Sequence, residues 1–209
     1  LAGQFIFTGS AVPADRSKIY HSGTGRFSWL TMRPMSLWES GESNGKVSIG
    51  KLFEKGAKIS ATNDLELTDI AKLICRGGWP AATNISDKYS LKIATEYYKA
   101  VVKTDISEVD GVKRDEIRTE KLMSSYARNQ GSQATIRSIC NDISANETNK
   151  ISEETVSSYI NALKQIFVIE DSTAWNPNLR SKTAIRTSDT RYFIDPSIAT
   201  SALGIGPND

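Results

Sequence analysis

The chain has 209 residues, of which 39% are hydrophobic and 24% are charged, and its formal net charge is +2. This length and composition predict a globular polypeptide of one or two domains and exclude a disordered chain. No run approaches the roughly 18 consecutive apolar residues of a membrane span, and the first residues lack a signal-peptide pattern. We therefore expect a cytoplasmic protein without a membrane partner.

Charge is distributed unevenly along the chain. Residues 1–60 carry eight Lys or Arg against four Asp or Glu, whereas residues 116–209 carry ten against eleven. The C-terminal part thus lacks the net positive charge that usually drives binding to nucleic-acid phosphates. Cys75 and Cys140 lie in amphipathic stretches without a neighbouring Cys or His, and His21 is the only histidine. Buried thiols are the expectation, and no metal site is predicted.

Two strands are predicted near the start of the chain. Residues 4–10 form an apolar run that ends in small polar residues, and residues 27–32 alternate between apolar and polar side chains. A continuous apolar strand needs neighbours on both sides, as in a parallel sheet, and none follows. We therefore expect the rest of this sheet to lie outside the sequence.

Residues 41–47 superficially resemble a phosphate-binding loop. That loop needs four residues between its glycines and a Ser or Thr after its Lys, because the hydroxyl holds Mg²⁺. Here three residues separate Gly41 from Gly45, and Val47 follows Lys46. The sequence therefore predicts a solvated loop, and no other segment supplies Gly-Lys-Ser/Thr.

From Asn63 onward the apolar spacing becomes helical. Asn63 is a plausible N-cap, and Gly77 ends this first helix. An acidic connector is predicted over residues 105–115, since acidic residues around Gly111 usually mark a solvated segment. The expected helices cover residues 63–76, 85–103, 119–129, 135–144 and 152–165.

Two short strands, at residues 167–171 and 191–195, follow the last three helices. Three helices and a two-stranded ribbon in this order predict a winged helix. Its recognition helix, residues 152–165, turns Val156, Ile160 and Leu163 inward. The side chains available to read DNA, with the wing included, are Ser157, Asn161, Lys164, Arg180 and Lys182.

Glu153 and Glu154 lie in the first turn of that recognition helix, which usually enters the DNA groove. They stabilise the helix dipole and would repel phosphate. Protein or intramolecular contacts are therefore the favoured role of the winged helix, and DNA binding is the alternative.

Several ordered motifs together resemble one known family. They are residues 4–11, 21–26 and 32–41, then Gly77-Gly78-Trp79-Pro80, then Ala174-Trp175-Asn176-Pro177, Leu179-Arg180-Ser181-Lys182 and residues 191–197. The set resembles the second half of the ATPase domain in a large bacterial and archaeal family of AAA-type P-loop ATPases. Members of that family pair the ATPase with a C-terminal region of unknown function.

The resemblance implies catalytic roles for Thr8, Ser10 and Arg26. Thr8 and Ser10 fall on the strand tip that senses the γ-phosphate, where a polar side chain can orient the attacking water. Arg26 falls where such enzymes often place an arginine that reaches a neighbouring subunit's nucleotide, although a surface arginine at a Gly-rich turn is equally expected. Strands also end in Ser-Gly turns for purely structural reasons.

Gly78 and Pro80 match the lid turn of related ATPases, in which a proline packs near the nucleotide base. A helix C-cap followed by a stop explains the same residues without a ligand. The nucleotide-binding assignment of Gly78 and Pro80 therefore comes from the resemblance.

The expected fold class is mainly α with a small β component (α+β). Residues 1–60 would be the C-terminal part of an α/β ATPase core, residues 61–115 a helical lid and connector, and residues 116–209 the winged helix. The resemblance implies ATP and Mg²⁺ as cofactors of the intact protein, and none for this chain, which we expect not to hydrolyse ATP alone. Expected partners are the missing N-terminal ATPase half and a nuclease-like C-terminal domain, with self-association and DNA as alternatives.

Overall fold

A computed structural model describes residues 5–10, 28–56, 58–145, 150–175 and 188–209. In this described part helices predominate, and two antiparallel bridges are the β pairing that it contains. The prediction of a mainly helical chain is confirmed. The helices are α1 (Ile49–Leu52), α2 (Leu67–Arg76), α3 (Asp87–Ala100), α4 (Ile106–Glu108), α5 (Glu116–Arg128), α6 (Ile136–Ile143), α7 (Glu153–Gln165) and α8 (Pro196–Leu203).

The N-cap of α2 is Glu66, three residues after the predicted cap, Asn63. Its first turn is closed by a capping box, in which the Glu66 N–H donates to Asp69 Oδ2 at 3.1 Å. Asn63 instead forms a local turn by accepting from the Leu65 N–H at 3.0 Å. Gly77 ends the helix with φ at +73°, as its position in the sequence predicted.

The first four residues of the predicted acidic connector, 105–108, are helical. Helix α3 continues through a π-helical turn, Val101–Asp105, into α4, because Val101, Val102 and Ile106 are buried in the core. Burial of apolar side chains here outweighs the solvating effect of the acidic residues. The prediction of a connector from residue 105 is therefore wrong for its first residues.

The buried side chain of Arg114 holds the turn that follows α4 in place. Its guanidinium is almost fully buried and donates to Asp110 Oδ2 at 2.7 Å and to the Ile106 carbonyl at 2.6 Å. It also lies 5.6 Å from the centre of the Tyr159 ring on α7. A buried charge is tolerated because an acidic partner, carbonyls and an aromatic face replace its water.

Helices α5, α6 and α7 start on side-chain caps. Asp115, Thr135 and Ser152 each accept a hydrogen bond from the main-chain N–H three residues on. The residues predicted to face inward from α7, namely Val156, Ile160 and Leu163, are buried as expected. The cysteines Cys75 and Cys140 are free and buried, which confirms that prediction too.

The last helix, α8, was not predicted from the sequence. Asp195 caps it and Pro196 occupies its first turn, both of which are helix-start signals, but its sequence is apolar and small without a polar face. That composition suits a helix packed on several sides, and α8 contacts α2, α3 and α5. The helical period is hidden when nearly every face is buried.

The two N-terminal strands are absent from the described residues. Residues 5–10 and 28–36 form neither helix nor strand, so the predictions for residues 4–10 and 27–32 are wrong in the part that the structure describes. Phe5, Ile6, Trp29 and Leu30 are strongly exposed. A strand needs hydrogen-bonded neighbours, and no such pairing with these segments occurs among the described residues.

Candidate functional site

The Gly77–Pro80 turn is fixed to the start of α8 through one buried carboxylate. Asp195 Oδ2 accepts from the Gly78 N–H at 2.8 Å, and Oδ1 accepts from the Ser197 N–H at 2.9 Å and from the Ser197 hydroxyl. The carboxylate therefore caps α8 and holds the turn at the same time. Its charge at the helix N-terminus is also favoured by the helix dipole.

Both glycines of the turn are required by close approaches. A Cβ on Gly77 would lie 2.3 Å from Asp195 Oδ1, and one on Gly78 would lie 2.1 Å from the Met35 carbonyl oxygen. The Gly78 carbonyl accepts from the Met35 N–H at 2.7 Å. Gly78 thus connects α8 to the N-terminal segment with its two main-chain polar groups, and only a residue without a side chain fits.

Trp79 and Pro80 complete the turn. The Trp79 indole N–H donates to the Ser197 hydroxyl at 2.9 Å, and its ring lies 4.6 Å from that of Tyr97 on α3. Burial, with the Asp105 charge adding to it, raises the pKa of Tyr97 to about 12. Pro80 begins a 3₁₀ turn, Pro80–Ala82, and is exposed. Pro80 is thus more exposed than Trp79 and Tyr97, which are half-buried.

A second buried carboxylate organises the C-terminal helices. Asp171 accepts from Lys164 Nζ of α7 at 2.7 Å and from Arg191 Nη1 at 2.6 Å. The hydroxyl of Tyr126, on α5, also donates to Asp171. Arg191 Nε donates in turn to the Ala134 carbonyl at 2.9 Å. We call Tyr126, Lys164, Asp171 and Arg191 the Asp171 cluster.

Opposing effects set the ionisation of this cluster. Burial disfavours the Asp171 carboxylate, but hydrogen bonds from Lys164 and Tyr126 and the charges of Lys164 and Arg191 outweigh it, so its pKa lies below the ordinary value. Burial, and then the bond to Asp171, raise the pKa of Tyr126. Asp171 therefore stays ionised at neutral pH and Tyr126 stays a donor, which suits a structural network better than proton transfer.

Of the three residues predicted to be catalytic, the structure describes Thr8 and Ser10. Thr8 and Ser10 lie in the exposed segment 5–10. Arg26, Arg180 and Lys182 lie outside the described residues. Gly78 is buried, and its main-chain groups are occupied by Asp195 and Met35.

The predicted DNA-reading residues of α7 occupy three different environments. Asn161 is exposed, Ser157 is half-buried, and Lys164 is bound to Asp171. Glu153, in the first turn of α7, pairs with Arg137 of α6 at 2.9 Å. Of these three residues only Asn161 is exposed, and in the first turn of α7 Glu153 is paired with Arg137.

Sequence reasoning missed the functions of Asp171 and Asp195 within the fold. Asp195 had a detectable signal, because an Asp before a Pro is a typical helix start. Asp171 had none, since two of its three partners, Tyr126 and Arg191, are 45 and 20 residues away along the chain. No cluster of three or more potential metal-ligating side chains is present in the described ranges, and no helix there is long and apolar enough to cross a membrane.

Comparison with known proteins identifies one relation. A family model, Domain of unknown function (DUF8612), matches residues 67–209. The chain belongs to the DUF8612 family. No curated protein and no solved structure matches it. The matched range starts at the first residue of α2 and includes both the Gly77–Pro80 turn and the Asp171 cluster.

Proposed function

We propose that this DUF8612 chain is the lid and helical output region of an AAA-type ATP-dependent protein. It would transmit the nucleotide state from the Gly77–Pro80 turn to the winged-helix-like part, residues 116–209. ATP and Mg²⁺ would bind in the intact protein, and this chain alone would not hydrolyse ATP. The proposal builds on the sequence resemblance together with one contact, the bond from the Gly78 N–H to Asp195.

That contact supports the proposal because it joins the Gly77–Pro80 turn directly to residues 116–209 through a hydrogen bond. Asp195 is the N-cap of α8, so a displacement of Gly78 acts on the first turn of that helix. A hydrogen bond to a charged group contributes about 1.5–3 kcal/mol, which is the size of a typical allosteric coupling free energy. In this proposal α8 has one position in which the Gly78–Asp195 bond is made and another in which it is broken. The free energy of this bond would be enough to favour one position over the other.

The exposed ring of Pro80 fits the same proposal. It lies next to the fixed turn and is free to contact a planar ligand, whereas Gly78 is already occupied. We therefore assign the nucleotide contact to Pro80 and the mechanical connection to Gly78. This divides the roles that the sequence resemblance had given jointly to the two residues.

Two observations test the proposal. Titration calorimetry of the chain with Mg-ATP is expected to show no binding tighter than about 1 mM, since a complete site is needed for strong binding. A micromolar Kd for the chain alone would contradict an incomplete site. The coding sequence upstream is expected to encode a Gly-Lys-Ser/Thr loop, and its absence from a full-length gene would remove the ATPase proposal.

DNA binding is the second candidate, favoured by the α6–α7 pair and by exposed Asn161. Two observations weigh against it: Lys164 is engaged by Asp171, and Glu153 and Glu154 lie in the first turn of α7. Fluorescence anisotropy with duplex DNA at 50 and 200 mM salt separates the candidates. Affinity that falls steeply with salt supports DNA binding, whereas no binding at low salt supports protein contacts.

A further inference from the structure

One face of helix α3 carries a row of exposed lysines. Lys88, Lys92 and Lys99 follow one another at spacings of four and seven residues. At 3.6 residues per turn, these spacings place the three side chains within about 40° of one another around the helix. Lys103 comes four residues later, in the π-helical turn, and is exposed too. We call these four residues the lysine row, and its length along the helix is about 20 Å.

The lysine row points away from the packed side of α3. Ser90 and Ala94, on the other face of the helix, are buried, and α2 and α8 pack against α3. Helix α8 has no charged side chain. Asp87, in the first turn of α3, pairs with Lys72 of α2 at 3.6 Å. The lysine row is therefore accessible to a partner that approaches from solvent.

One carboxylate, that of Glu96, lies within the lysine row. Lys99 Nζ is 2.9 Å from Glu96 Oε1. The hydrogen bond from Lys99, and then the charges of Lys99, Lys103 and Lys92, hold the pKa of Glu96 below its ordinary value. Three of the four lysines thus lie near the same carboxylate. Four ammonium groups and one carboxylate leave the row with three positive charges in excess.

These excess charges repel one another in the isolated chain. Lys88 and Lys92, like Lys99 and Lys103, are four residues apart, and like charges at this spacing destabilise a helix. Among the described residues, Lys88, Lys92 and Lys103 have no ion-pair partner. A polyanion bound along the row would remove this repulsion.

The length of the row favours a regular polyanion. Duplex DNA carries one negative charge per about 1.7 Å of its axis, so about twelve phosphates lie beside a row of 20 Å. An anionic bilayer fits less well, because helices that bind membranes insert a broad apolar face. Tyr89 is the one large apolar side chain that α3 exposes, and the Lys88 Nζ lies 6.0 Å from its ring centre.

We propose that the lysine row of α3 binds the phosphate backbone of nucleic acid without reading its sequence. Lys88, Lys92 and Lys103 supply the contacts, and Lys99 remains paired with Glu96. Lysine suits such binding, since its ammonium group is a point charge on a flexible stem and its contact with phosphate releases counterions. The proposal is independent of ATP binding, and it places the nucleic-acid contact on α3 instead of α7.

Fluorescence anisotropy with a 20-bp duplex DNA, at 50 to 200 mM salt, tests the lysine row. Three phosphate contacts predict a slope of about −2.7 in log affinity against log salt, and hence a fall of about fortyfold over this range. Lys88→Gln/Lys92→Gln/Lys103→Gln should lower the affinity at 50 mM salt at least about tenfold and remove most of the slope. Glutamine keeps the helix propensity, and circular dichroism checks the fold.

Two further variants separate the lysine row from net charge. Lys46→Gln/Lys51→Gln/Lys58→Gln removes the same charge from exposed positions before α2, and it should leave the affinity within about threefold of the unmodified chain. Glu96→Gln should act in the opposite direction and raise the affinity at least about threefold, because it removes the carboxylate and frees Lys99.

Four outcomes would overturn the proposal. The first is the absence of binding at 50 mM salt, and the second is an equal loss of affinity in the two triple lysine variants. The third is a loss of binding in Asn161→Ala, which would place the contact on α7. The fourth is flotation with vesicles of anionic lipid that depends on the lysine row while DNA is not bound, which would assign the row to a membrane surface.

Discussion

The region from α2 to α8 and the segment before it differ in how far their apolar side chains are buried. The helical region buries Leu122, Met123, Tyr126 and Leu163 almost completely. In residues 28–56, by contrast, Trp29, Leu30, Met32 and Phe53 are exposed by more than four-fifths. The family model also begins at residue 67, so the boundary seen in packing is also a boundary in sequence.

The contacts between the two regions are largely polar. Met35 bonds Gly78, Arg33 pairs with Glu170, and Glu42 pairs with Arg76. The difference teaches that residues 67–209 carry their own core, whereas the segment before them is positioned by hydrogen bonds and charges.

The largest effect is expected inside the helical region at Asp171. Asp171→Ala should lower the free energy of unfolding by about 3–5 kcal/mol, because Arg191 and Lys164 lose their buried counter-ion. Urea denaturation measures this. Lys164→Ala is the matched control and should cost less, since Arg191 still balances Asp171. A loss under about 1 kcal/mol for Asp171→Ala would mean that the cluster does not hold the helices together.

Paired leucine substitutions compare the two regions directly. Leu163→Ala, in the core, should destabilise by about 2–5 kcal/mol through lost burial and a cavity. Leu30→Ala, at an exposed position, should change stability by no more than about 0.5 kcal/mol. Thermal or urea unfolding of both variants suffices. Similar losses for the two leucines would show that residue 30 is buried in solution and would remove the contrast.

A smaller effect is expected where the two regions meet. Gly78→Ala should destabilise by about 1–3 kcal/mol, because the new methyl group overlaps the Met35 carbonyl. Gly50→Ala, whose added Cβ would lie 3.7 Å from its nearest neighbour, is the control and should be neutral or slightly stabilising. Equal effects would indicate that Met35 moves away at no cost.

The smallest expected effect is a loss of folding stability at acidic pH. Because the folded-state pKa of Asp171 lies below its unfolded value, its contribution is complete above about pH 4 and declines as pH falls through the folded pKa. The urea midpoint should therefore decrease below about pH 4. Asp171→Asn should flatten this decrease in part. An unchanged pH profile in the variant would show that other carboxylates account for the acid sensitivity.

The sequence predicted local features well where one residue type has one physical role. Ser152 and Gly77 mark helix ends because a side-chain oxygen and a positive φ are needed there. It failed for the connector after Lys103, because burial of Val102 and Ile106 decided the conformation. The N-terminal strands were overpredicted, since alternation shows a propensity but supplies no partner strand.

The sequence by itself determined a mainly helical chain, the buried face of α7 and the buried state of both cysteines. These follow from periodicity and side-chain chemistry, which act over a few residues. Only the tertiary structure decided that Asp195 reaches Gly78 and that Asp171 joins Tyr126 and Arg191. Those contacts join residues distant along the chain, and a buried charge finds its partners only when the helices pack.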